Sequence, residues 1–128
     1  AKVLGSDPKT DVAVLRIEGE PGQPIRMAST MPPQGQAVAT IGAPNGWSYS
    51  LSAGLVSRYG SAASQFENRP MLQIAAPAIG GSSGGLVFNA RGEGVGMVSF
   101  GKSQFQQAIP IDQVMAAAAV FQAIHRAE

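Results

Sequence analysis

The sequence predicts an all-β domain ending in one helix, and three observations predict it. Sixteen glycines and nine prolines among 128 residues supply a heavy load of turn formers. Between them lie short apolar stretches of strand length, some alternating with period two. Only the tail changes to helical spacing. Hydrophobic residues make up 45% of the chain and charged residues 13%, which suits one folded domain and not a disordered chain.

Lys2-Val3-Leu4-Gly5 reads as a first strand, closed by the turn formers Ser6-Asp7-Pro8. Val12 to Ile17 (VAVLRI) is a second strand, so continuously apolar that burial on both faces is expected. Glu18 to Pro24 and Ala28 to Gln36, with Pro32-Pro33, form a linker that divides the chain into residues 1–35 and 36–128. Ala37 to Ile41 is the third strand, ended by Gly42-Ala43-Pro44-Asn45-Gly46. Tyr49 to Arg58 is a long strand in which Leu51, Ala53, Leu55 and Ser57 alternate with Ser50, Ser52, Gly54 and Val56. A polar loop over Ser61 to Arg69 precedes a short strand at Met71 to Ile74. After the glycine loop Gly80 to Gly85 come strands at Leu86 to Phe88, Val95 to Phe100 and Phe105 to Ile109, with a hairpin turn at Arg91-Gly92. In the tail Val114, Ala117, Ala118, Phe121, Ile124 and His125 share one helical face, and Asp112 stands in the first turn, where a negative charge suits the helix dipole.

Composition removes several function classes. Nine Lys plus Arg against eight Asp plus Glu leave a net charge of +1, and the cations form no stripe, so neither nucleic acid nor an anionic membrane is expected as partner. Without cysteine there are no disulfides, thiolate chemistry or Cys-based zinc sites. One histidine and no clustered carboxylates give no reason to expect a metal or any other cofactor. No apolar run reaches the roughly 20 residues of a bilayer span. The opening Ala1-Lys2-Val3-Leu4 is strand-like, so any export signal is expected upstream of it.

The chemistry concentrates in Gly80-Gly81-Ser82-Ser83-Gly84-Gly85. A serine between glycines is what acyl transfer needs: an exposed hydroxyl, with backbone N–H groups free to converge on the carbonyl oxygen that becomes negative. A phosphate-binding loop is the rival reading. It fails because the segment lacks the Gly-Lys-Ser/Thr ending and runs into a strand, not a helix.

Four further stretches, in order with that loop, resemble the HtrA (Deg) family of chymotrypsin-like serine proteases. They are Gly5-Ser6-Asp7-Pro8-Lys9-Thr10-Asp11-Val12-Ala13-Val14-Leu15-Arg16-Ile17, Thr40-Ile41-Gly42-Ala43-Pro44-Asn45-Gly46, Ser52-Ala53-Gly54-Leu55-Val56-Ser57, and Gln107-Ala108-Ile109-Pro110. The resemblance implies a trypsin-like antiparallel β-barrel, the second of a double-barrel fold, from residue 36 onward. Residues 1–35 would hold the last strands of the first barrel. It implies Ser83 as nucleophile, Asp11 as the acid that orients the general base, and the N–H groups of Gly81 and Ser83 as oxyanion hole. Ser99-Phe100-Gly101 would be the edge on which an extended polypeptide substrate pairs, with Ala78, Ile79 and Ala108 near the pocket wall. None of these is charged, so small to medium aliphatic residues are expected before the scissile bond. Ser82, Leu86 and Ile74-Ala75 depart from the family's usual Asn or Asp, Pro, and Thr-Asp.

The resemblance also implies a catalytic histidine some tens of residues before the acid, and only ten residues precede Asp11. The one histidine, His125, falls on the terminal helix, which in that fold packs outside the second barrel. The expectation is a fragment of a serine endopeptidase whose histidine lies upstream, inactive alone because losing the base of such a triad costs about 10⁶-fold in the subtilisin case. The alternative is a pseudoprotease acting as a peptide-binding module. First-barrel strands without partners would present open edges, so self-association or disorder near residues 1–20 is expected. The family's usual setting is the bacterial periplasm or cell envelope.

Overall fold

A computed structural model describes residues 1–20, 22–42, 50–61, 70–76, 83–102 and 105–126. Among them are eight strands and a helix: β1 (Lys2–Asp7), β2 (Val12–Arg16), β3 (Ala37–Gly42), β4 (Ser50–Ser61), β5 (Pro70–Ala75), β6 (Leu86–Phe88), β7 (Gly94–Lys102), β8 (Phe105–Pro110) and α1 (Ile111–Arg126). The expected order of strands then helix is present. The polar loop expected at 61–69 falls outside the described residues apart from Ser61, which ends β4.

β1 and β2 form a two-stranded antiparallel sheet, with Val3 opposite Leu15 and Asp7 opposite Val12. β1 runs through Ser6-Asp7, and the turn begins only at Pro8. Its geometry comes from Asp7, whose Oδ1 accepts the Lys9 N–H at 3.0 Å and whose carbonyl accepts the Asp11 N–H at 2.8 Å. Asp11 closes the turn at φ 61°, a left-handed conformation that Asp tolerates better than most side chains. The expectation that β2 is buried on both faces is corrected here. Val12 is buried, but Leu15 is 55% exposed and Ile17 is exposed too. A two-stranded sheet backed by one helix has a single covered face.

The other six strands close into a barrel in the order β3-β4-β5-β8-β7-β6. Its interior is filled by Val38, Val56, Leu72, Ile74, Val87, Val95 and Val98 with Ala76 and Ala108. Along β3 and β4 the larger residues Ile41, Leu51 and Leu55 face outward, while Thr40 and Val56 face in. Gly54 explains part of this, because a Cβ there would stand 2.3 Å from the Ala75 carbonyl oxygen. The expected hairpin at Arg91-Gly92 is present, with Gly92 at φ +76° and the Asn89 side chain accepting from the Arg91 and Glu93 amides.

Two features join sheet to barrel. α1 starts after the buried Pro110 and touches β1, β2, β7 and β8. Phe121 lies against Gly5, where a Cβ would meet the ring at 2.2 Å, and Val12 joins Met71 and Ile109 in a second apolar cluster that Phe100, Val114 and Ala117 flank. Ile124, expected on the packed face, is instead 54% exposed. The linker is tied along the barrel: the Gly94 amide donates to Arg26 O, the Ala28 amide to Gly94 O, and the Val56 amide to Gln36 O.

Candidate active site

Ser83 stands at the start of a turn that is stitched to β7. Gly84, at φ +88°, donates its N–H to the Val98 carbonyl at 2.7 Å, and the Val98 N–H donates to the Gly85 carbonyl at 2.9 Å. A residue with a Cβ would be strained at that φ, so the glycine is what lets the chain turn back onto β7. The stitching holds Ser83 exposed beside the next residue of β7, and its Oγ donates to the Ser99 carbonyl at 3.0 Å.

Asp11 reaches the same residue from the other sheet. Its Oδ2 accepts the Ser99 hydroxyl at 2.5 Å, a short bond of the charge-assisted kind. Ser99 is 8% exposed and sits where the β7–β8 register slips between Val98 and Phe100. A bulge re-aims side chains and leaves one residue outside the ladder. At this one, Ser99 turns its hydroxyl to Asp11 and its carbonyl to Ser83. Residues 11, 83 and 99 thus form one hydrogen-bonded chain across the seam between sheet and barrel.

The remaining site candidates distribute as follows. Phe100 is half-buried against the second apolar cluster, Gly101 is exposed, and Ala108 is fully buried in the barrel core opposite Leu72 and Val98. Ala78, Ile79 and Gly81 lie outside the described residues, as does Ser82. His125 is engaged elsewhere, its Nε2–H donating to the Leu4 carbonyl at 2.9 Å beside a cavity of about 250 Å³ lined by Leu4, Val14, Leu15, Arg16 and Gln122. Sequence reasoning placed Ser99 on a peptide-binding edge and missed its side-chain bond to Asp11. A polar residue within the otherwise apolar and glycine run Val95 to Gly101 is the signal that could have found it.

What this arrangement can do chemically is half of an acyl transfer. A hydroxyl and a carboxylate are fixed on one bulge, on one side of a backbone turn built from glycines. Comparison with known sequences names the scaffold. The profile of the trypsin-like peptidase domain matches residues 1–97. The chain belongs to the trypsin-like peptidase domain family. Among relatives of this peptidase domain is a probable periplasmic serine endoprotease DegP-like from Pseudomonas fluorescens, 35% identical over 122 residues, covering 90% of this chain and 26% of that protein. A protein of the same description from Marinomonas sp. is 39% identical over 100 residues, 77% of this chain and 21% of the relative. This peptidase chain therefore spans about a quarter of the length of the curated relatives it matches. Of solved structures, the HtrA-type protease AlgW with decapeptide superposes with a TM-score of 0.81 at 28% identity, covering 98% of this chain and 40% of that one. The Rv3671c protease from M. tuberculosis, active form, gives 0.82 at 22% identity, 92% of this chain and 56% of that one, and shares the trypsin-like fold.

Proposed function

We propose that this chain is part of an HtrA-type serine endopeptidase, in which Ser83 attacks the peptide carbonyl and Asp11 orients a histidine contributed from outside these residues. The observation that carries the reading is the convergence of Ser83 and Asp11 on Ser99, from positions 72 residues apart in sequence. In the reaction the histidine takes the Ser83 Oγ proton as the oxygen adds to the carbonyl carbon. The resulting oxyanion is held by the N–H groups of Gly81 and Ser83. Collapse expels the amine, which takes the proton from the histidine, and water then hydrolyses the acyl-enzyme. No cofactor enters.

On this reading residues 1–35 carry the end of a first barrel and its linker, and residues 36–128 carry the second barrel and helix. Substrates are extended polypeptides with a small or medium aliphatic residue before the scissile bond, paired along Ser99–Gly101. A relative solved with a decapeptide supports peptide as the ligand class. Relatives described as periplasmic support the bacterial periplasm as the setting. The 128-residue chain alone lacks a base at Ser83, since its only histidine is bonded to Leu4. It is therefore inactive by itself.

The test is fluorophosphonate labelling, which reports an activated serine. The longer protease is expected to label at Ser83 and to lose the label in Ser83→Ala, while the 128-residue chain stays unlabelled. An unlabelled longer protein that still binds peptide would replace this reading with that of a peptide-binding module.

A further inference from the structure

Ser99 spends its hydroxyl and its carbonyl on this site, and the carbonyl is the less obvious of the two. Pairing of β6 with β7 stops at Met97, and the backbone of Gly84 and Gly85 holds Val98. At the next position along that edge, the acceptor is taken by a side chain: Ser83 Oγ–H donates to Ser99 O at 3.0 Å. The bulge between Val98 and Phe100 is what lets that carbonyl turn toward Ser83. A serine has one hydroxyl proton. While it points at an amide carbonyl, it is directed at an acceptor too weakly basic to remove it.

We propose that this bond is a latch: the Ser83 hydroxyl occupies the carbonyl that a bound peptide's backbone N–H takes, so that peptide pairing along β7 releases Ser83. The inference rests on the proposed reading of Ser99–Gly101 as the peptide edge. Energetics favour release, because a single side-chain bond to a backbone carbonyl has a net worth of about 0.5–1.5 kcal/mol. A pairing peptide replaces it with a ladder bond that comes with neighbours on the same strand. The hydroxyl is then free to turn to whatever base faces it. A nucleophile held this way stays idle until a strand-like segment is in place, which selects extended over folded chain.

The test uses the 128-residue chain, wild-type and Ser83→Ala, with an extended Val- and Ala-containing peptide and a series in which each backbone N–H in turn becomes an isosteric ester oxygen. Ser83 is exposed, so alanine leaves the core untouched. Ser83→Ala is expected to bind the all-amide peptide roughly 2- to 10-fold more tightly than wild-type, because nothing must be displaced. One ester in the series should lose that gain. The carbonyl ¹³C resonance of Ser99 should shift on Ser83→Ala and shift back when peptide is added. Equal affinity of both proteins for the all-amide peptide, or a gain that every ester retains, would overturn the latch while leaving the peptide edge standing. Failure of every peptide to bind either protein would remove the edge itself, and the latch with it.

Discussion

The barrel and the β1–β2 sheet carry one site between them but are supported very differently. Six strands close on themselves in the barrel, β7 running on past its last partner on β6 at Met97, and the interior is filled by aliphatic side chains, Leu72 and Val87 among them fully buried. The sheet has two strands, exposes Val3, Leu15 and Ile17, and leans on α1 and on Val12 for its place. Ser83 and Ser99 stand on the first region and Asp11 on the second. The difference teaches that Ser83, the proposed nucleophile, is held by a closed, packed element, whereas the position of Asp11 depends on a seam made by Val12 on Met71 and Ile109, by α1 and by the hydrogen bond from Ser99.

If that contrast is right, perturbations should rank by region. Asp11→Asn leaves the turn, the tolerated φ and the packing in place, so stability should hold while kcat of the longer protease falls by about 10⁴-fold, the loss seen when the acid of such a triad becomes its amide. Steady-state kinetics with denaturation controls would show it, and an unchanged kcat would remove Asp11 from the mechanism. Leu72→Ala empties part of the barrel core and should cost about 2–5 kcal/mol in chemical denaturation. Val12→Ala removes two buried methyl groups from the seam, worth about 2 kcal/mol. Its signature should be regional: faster amide exchange in β1 and β2, with the barrel amides unmoved. Exchange that rises equally in both regions would mean that sheet and barrel open as one unit, and the contrast would collapse.

Smaller effects sharpen it further. Ser99→Ala deletes the bond to Asp11 but keeps the carbonyl that Ser83 uses, so about 1 kcal/mol is expected, discounted for the exposure of the carboxylate. The change should appear as faster exchange around residues 10–12. Leu15→Ser, on the uncovered face of β2, should alter the chain's unfolding free energy by no more than about 0.5 kcal/mol. It should also reduce any self-association read by analytical ultracentrifugation, because less apolar surface then flanks the open strand edges.

Much of this was legible before any coordinates. Period-two alternation and the glycine and proline breaks located all eight strands to within a few residues, with β6 at Leu86–Phe88 and β2 starting at Val12. The end of β4 moved furthest, from Arg58 to Ser61, and β1 continues through Ser6-Asp7, because the tight turn is made by the Asp7 side chain and carbonyl and not by Pro8 alone. Alternation says which residues share a face but not which face is inside. In β4 the larger residues Leu51 and Leu55 point outward because Gly54 and Val56 are the ones facing the interior. The burial of β2 was misread for a related reason. An apolar run reports that a strand could be covered on both sides, and only its neighbours decide whether it is.

Local chemistry, then, was written in the chain: turn residues, strand periods, a helical tail, a serine set among glycines and a carboxylate ahead of an apolar strand. These depend on residues close in sequence, whose conformational limits act wherever the chain goes. Tertiary structure alone decided that Asp11 and Ser83 meet at Ser99, that a β-bulge aims the hydroxyl and the carbonyl of that residue in different directions, and that His125 spends its Nε2–H on Leu4. Those contacts span 16 to 121 residues, and hydrogen bonds act over about 3 Å. No local pattern encodes such a distance; closing the barrel and packing α1 across the sheet does.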